Sequence, residues 1–106
     1  MNFIDVKWHH SNRSAPVRLV SELDAKRNET RKLEFFADGR VGYASERTSA
    51  HGTALGIEPV PPLEEINAQT EFEGTAINST QFEQLWRIHG PHAQLRIQPD
   101  GEVPPI

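Results

Sequence analysis

Apolar and polar side chains alternate along four short stretches in the first half of this chain, and a period of two admits strands and little else. In the first stretch, residues 3–9, Ile4, Val6 and Trp8 share one face while Phe3, Asp5 and Lys7 share the other. The first set reads as the core face of a half-buried strand. After a polar loop at 11–14, Pro16 can open the next strand without costing a ladder hydrogen bond. There Val17, Leu19 and Leu23 lie on one face together with Ser21. The polar connection 24–29 leads to a third run, 30–37, with Leu33 and Phe35 on one side and Lys32, Glu34 and Phe36 on the other. Asp38-Gly39 is a hairpin signal, because the tight turn needs residues that tolerate positive φ, and Arg40–Ala44 then continues with Val41 and Tyr43. Strands joined by such short turns predict an antiparallel meander.

The pattern changes after residue 44. Ser, Thr and Gly dominate 45–56, which reads as a long surface loop. Pro59, Pro61 and Pro62 stop the sheet and place proline near the first turn of a short helix over 63–69. Phe82, Leu85, Trp86 and His89 then recur at i, i+3, i+4 and i+7, one face of a second helix. Asn78 with Gln81, or Thr80 with Glu83, can form a capping box at its start, and Gly90-Pro91 ends it. Weak alternation over 93–98 and a turn at Asp100-Gly101 follow, with an extended tail at 103–106. The expectation is an α+β fold: an antiparallel four- to five-stranded meander sheet with two short helices on one face, and Trp8 and Trp86 both in the core. At 106 residues the chain is expected to form a single domain, 1–106, with its core at 3–89 and a C-terminal extension at 90–106.

Charge is distributed unevenly over this framework. From residue 54 onward eight acids face two bases, Arg87 and Arg96, a net of −6, whereas residues 1–53 hold nine bases and seven acids, a net of +2. Glu58, Glu64, Glu65, Glu71 and Glu73 fall within sixteen residues, and no Lys or Arg occurs between Arg47 and Arg87. A field this lopsided steers a cationic partner, so these five glutamates are the expected partner-binding residues. The overall charge of −4 opposes binding to nucleic acid. The absence of cysteine excludes disulfides and thiolate chemistry. No apolar run approaches the roughly 20 residues needed to span a bilayer, and the N-terminus has no signal-peptide h-region. A cytoplasmic protein without membrane association is the expectation.

Catalytic constellations are sparse. His9 and His10 are adjacent in an extended stretch, so their rings project to opposite faces; His89 and His92 flank a Gly-Pro break; His51 sits in the glycine-containing loop. No helical His pair or His-Glu pattern is present, so neither a metal nor a cofactor is expected. A hydrolytic reading would use His9 or His51 as general base with Arg31 or Lys32 holding a phosphate. The competing reading pairs Arg31 and Lys32 with Glu22 or Glu34 across the ladder. Gly52, Thr53 and Gly56 do not reproduce a phosphate-loop spacing, and Phe35, Phe36 and Tyr43 read as core aromatics more readily than as a base-stacking platform. The chain is therefore expected to be a non-enzyme. The alternative is a small enzyme or ligand-binding domain using the 45–56 loop and His51.

The ordered pieces Val6-Lys-Trp-His9, SELD (21–24), RKLEFF (31–36), DGRVGYAS (38–45), GTALG (52–56), PLEEIN (62–67) and FEQLW (82–86) resemble an uncharacterised family of small bacterial domains. Some of its members look like immunity proteins of contact-dependent growth inhibition systems. The resemblance covers roughly residues 3–86; the stretch 89–106 departs from the pattern. It implies a cytosolic immunity protein that binds and neutralises a cognate toxin C-terminal domain, most simply a basic nuclease. Such a role needs no catalytic residue, and carboxylates fit the basic cleft with which a nuclease grips its substrate.

Overall fold

A computed structural model describes residues 1–91. The expected meander is present: β1 (Asn2–Trp8), β2 (Arg18–Leu23), β3 (Glu29–Phe35) and β4 (Val41–Ser45) pair antiparallel in chain order. The two-residue β5 (Ser49–Ala50) adds to β4. After α1 (Leu63–Asn67) the chain returns as β6 (Phe72–Ile77), which pairs antiparallel with the free side of β1, and α2 (Ser79–His89) follows. The sheet therefore has six strands in the order β5-β4-β3-β2-β1-β6, one or two more than expected. Both turn expectations hold. Gly39 takes φ +95° in the β3–β4 hairpin, and Asn78 and Gln81 exchange the two hydrogen bonds of a capping box at the start of α2, worth about 1 kcal/mol.

The helices do not share a face. Successive strand residues point to opposite sides, and both sides of the central strands carry apolar groups. On one side, Val20 and Leu33 are fully buried beneath Phe82 of α2, with Phe3, Phe35, Tyr43, Leu85 and Trp86 packed around them. On the other, Ile4, Val6 and Leu23 pack against Ile66 of α1, with Val60, Leu63 and Phe72 at the margin. The expectation of two helices on one face fails because Phe3 and Val20 give β1 and β2 a second apolar face, opposite the one formed by Ile4, Val6 and Leu23. Each fully buried side chain of this size contributes on the order of 1.5–3 kcal/mol, so two apolar faces are worth covering separately.

Trp86 and Trp8 are both half-buried, but only Trp86 packs against a core cluster, in the α2 layer; Trp8 belongs to neither cluster. Its ring lies at the end of β1 between Phe72 and His10, with centroids 5.6 and 4.5 Å away, and its indole N–H reaches outward. The alternation placed it on the right face; the strand ends before either helix covers it. The expected elements at 93–98 and 100–101, and nearly all of the extension 90–106, lie outside the described residues.

At the β6 edge, the Asn67 side chain donates to the Gly74 carbonyl (2.9 Å) and accepts from the Gly74 N–H (2.6 Å), as a neighbouring strand would. This occupies the middle of an edge that could otherwise template pairing with another chain. It also ties α1, a five-residue helix far too short to persist alone, to the sheet. Position 74 is tightly packed: a Cβ there would lie 2.9 Å from Leu63 Cδ2, so the end of that side chain would have to shift.

Candidate functional site

The buried and half-buried cations of β2 and β3 are engaged by carboxylates. Arg18 makes a two-pronged contact with Asp5 (2.9 and 2.7 Å) and lies over the Phe35 ring. Arg31 bridges Glu22 of β2 and Glu83 of α2, its guanidinium 4.8 Å above the Phe82 ring and 5.2 Å from that of Trp86. The hydrogen bond from Arg31, reinforced by Thr30, holds the Glu22 carboxyl below its ordinary range. On the opposite face Lys32 reaches Glu29 (3.1 Å) and Glu34 (3.6 Å). The two cations that could have held a phosphate are thus engaged by carboxylates: Arg31 pairs across the ladder with Glu22, as the sequence offered, whereas Lys32 pairs along its own strand with Glu29 and Glu34.

The remaining histidines are scattered. His9 meets Glu73; His10 Nε2 lies 2.8 Å from the Pro16 carbonyl oxygen; His89 packs edge-on to Phe35, where burial and then the Arg18 charge lower its pKa. His51 is exposed at φ 59° in the turn after β5. Among the described residues no group of three His, Cys, Asp or Glu side chains could hold a metal ion, and no helix is long and apolar enough to cross a membrane.

The acidic segment is mounted on this framework by identifiable contacts. Asp24 organises the β2–β3 turn, its Oδ1 accepting from the Lys26 and Asn28 N–H groups at 2.9 Å, which holds its carboxyl below the ordinary range. The turn puts Arg27 at φ 65°, a left-handed conformation that is costly outside glycine. From there its guanidinium donates to the carbonyls of Val60 and Pro61, both at 2.8 Å, and its own carbonyl accepts from the Val60 N–H. Upstream, Thr53 donates to Glu34 and the Gly56 N–H to Glu29. Val60, Leu63, Ile66 and Phe72 turn inward to the sheet, and the glutamates of the same stretch turn out.

All five expected partner residues are exposed, but they are not equivalent. Glu58, in the loop, and Glu64 and Glu65, in the first turn of α1, make no side-chain hydrogen bond or ion pair among the described residues. Glu71 accepts the Trp8 indole N–H at 3.1 Å. Glu73 lies on β6 and not in a loop. Its neighbours Phe72 and Gly74 face α1, so its side chain projects from the opposite face, where it meets His9 at 3.0 Å. The His9 contact, and then the Lys7 charge, lower its pKa. The sequence showed no base near residues 58–73 in the chain; Lys7 of β1 and His9 just after it supply bases in space. No local signal marked that pairing, because it depends on β6 lying beside β1.

A family model described as Domain of unknown function (DUF6881) matches residues 2–90. The chain belongs to this family. The DUF6881 match runs from the first residue of β1 past the end of α2, so it takes in the whole sheet, both helices and the acidic segment. It agrees with the resemblance to an uncharacterised small domain family. No curated protein and no solved structure matches the chain.

Proposed function

We propose that this DUF6881 chain is a cytoplasmic immunity protein that binds a cognate toxin domain, a basic nuclease, and blocks it through the carboxylates of Glu58, Glu64, Glu65 and Glu71; Glu73, on the opposite face of the sheet and paired with His9, stands apart from them. The observation that carries the reading is the contrast in pairing: Asp5, Glu22, Glu29, Glu34, Asp38 and Glu83 are all in ion pairs, while Glu58, Glu64 and Glu65, clustered in one segment, stand exposed with no partner among the described residues; in the first half only Glu46 is exposed and unpaired in the same way. Like charges held together raise the local potential and speed capture of a cation-rich surface. The glutamates are also held on a braced segment, pinned by Arg27 and Asn67, which lowers the ordering cost of binding.

The test is coexpression with the toxin domain encoded by the adjoining reading frame. Wild-type protein is expected to restore growth and to form a complex with the toxin at moderate salt. Growth arrest despite soluble, folded protein, with no complex formed, would sink the immunity reading.

A further inference from the structure

Between the sheet and the inward side of the acidic segment lies a groove of about 290 Å³, whose walls include Val6, Leu19, Val60 and Ile66 and whose polar lining includes Ser21 and Glu29. Both polar groups have unused capacity. Ser21 is 3 % exposed, and its hydroxyl has no hydrogen-bond partner among the described residues. The Glu29 side chain is 10 % exposed, and both of its contacts, from Lys32 (3.1 Å) and from the Gly56 N–H (2.6 Å), go to Oε1; Oε2 has none. Charge is also out of balance here. Glu29 and Glu34, with side chains 10 % and 15 % exposed, share the single ammonium of Lys32, leaving one negative charge over.

Buried polar groups and charges are normally satisfied, so an open groove lined by a spare hydroxyl and a carboxylate with a spare oxygen and excess negative charge has the chemistry of an unfilled cation site. Its apolar walls demand an apolar stem. We infer that the groove takes one lysine side chain of a basic protein partner, with the methylenes along Val6, Leu19, Val60 and Ile66 and the ammonium donating to Ser21 Oγ and Glu29 Oε2. The inference rests on the reading of this chain as a binder of a basic protein, and it supplies the anchor that surface carboxylates alone do not provide. A volume near the lower limit of about 300 Å³ for small-molecule sites fits one side chain better than a metabolite. One free carboxylate oxygen beside a hydroxyl suits a compact ammonium, whereas a guanidinium fork prefers both oxygens of a carboxylate. Glu58, Glu64 and Glu65 belong to the same segment as the apolar wall, so the mouth is approached through negative potential.

Titration of ¹⁵N-labelled protein with Nα-acetyl-lysine methylamide tests the site without the toxin. Saturable shifts are expected at the amides of Leu19, Ser21, Glu29 and Ile66, with at least tenfold weaker response to the norleucine analogue, which keeps the stem and lacks the charge. Glu29→Gln should abolish the preference for lysine, and the comparison of probes on wild-type protein stands even if that variant folds poorly. Equal response to norleucine, shifts confined to Glu64 and Glu65, or no response up to the probe's solubility would overturn the site. Tighter binding of the arginine analogue would overturn the choice of headgroup. A groove that binds the lysine probe in a protein that does not bind the toxin would leave the site and remove the immunity reading; toxin binding with an inert groove would do the reverse.

Discussion

The sheet with α2 and the segment 58–73 treat charge in opposite ways. Within the first, Arg18, Arg31 and Lys32 are each matched to carboxylates and roofed by rings or loop, so charge is spent on holding the fold. Within the second, an apolar side is spent on the fold and, among the described residues, the carboxylates of Glu58, Glu64 and Glu65 are left over. A protein of 106 residues has little stability to spare, and like charges held close repel one another. The comparison teaches where to look for function: in the charges the fold does not use.

The comparison breaks most visibly at Arg31. Arg31→Ala leaves the nearly buried Glu22 without its partner and uncovers Phe82, and removing one member of a buried pair costs about 3–5 kcal/mol. Chemical denaturation measures it. The same pair sets an acid limb. The folded-state pKa of Glu22 is depressed, so its contribution is complete above the unfolded value near 4.5 and is lost as pH falls through the lower folded value. The variant should show a shallower loss of stability across that acid range.

Arg27→Ala sharpens the contrast from the other side. It removes two hydrogen bonds from a charged donor to Val60 and Pro61, together worth about 1.5–3 kcal/mol. Hydrogen exchange should quicken at residues 58–72 while β2 and β3 keep their protection. Uniform acceleration throughout would mean that the segment is not a separately braced unit.

These partners show what the sequence could and could not disclose. The 3.6-residue spacing of Phe82, Leu85, Trp86 and His89 and the Asn78–Gln81 box are local, and so was α2. Asp38-Gly39 likewise marked its hairpin. β6 escaped because its α1-facing positions, Phe72, Gly74 and Ala76, are mostly small where alternation needs bulk. The opposed placement of the helices escaped because both faces of β1 to β3 carry apolar residues, and a period of two cannot say which face a helix will choose. Contacts such as Arg31 to Glu83 and His9 to Glu73 span 52 and 64 residues, beyond any local pattern. Among the expected site residues, exposure was legible; the isolation of Glu73 on the far face was not.

A smaller effect concerns His89, whose ring is packed against Phe35 beneath the Arg18 charge. Its folded-state pKa lies below 6.5, so the unfolded chain binds the proton more readily; stability is complete above that value and declines as pH falls through it. His89→Phe should flatten the stability profile between neutral and mildly acidic pH, measured by thermal melts.

The smallest effect on the fold and the largest on function belong to the same change. Replacing both Glu64 and Glu65 by Lys should alter stability by less than about 0.5 kcal/mol, since neither side chain has a partner to lose among the described residues. The decisive measurement is the association rate of wild-type and Glu64→Lys/Glu65→Lys protein with the toxin domain across a salt series. Rapid, salt-sensitive capture by the wild type, with slower and nearly salt-independent capture by the variant, is the predicted result. Identical rates and identical salt slopes for the two proteins would contradict the claim that the charges the fold leaves unpaired are the ones that meet the partner.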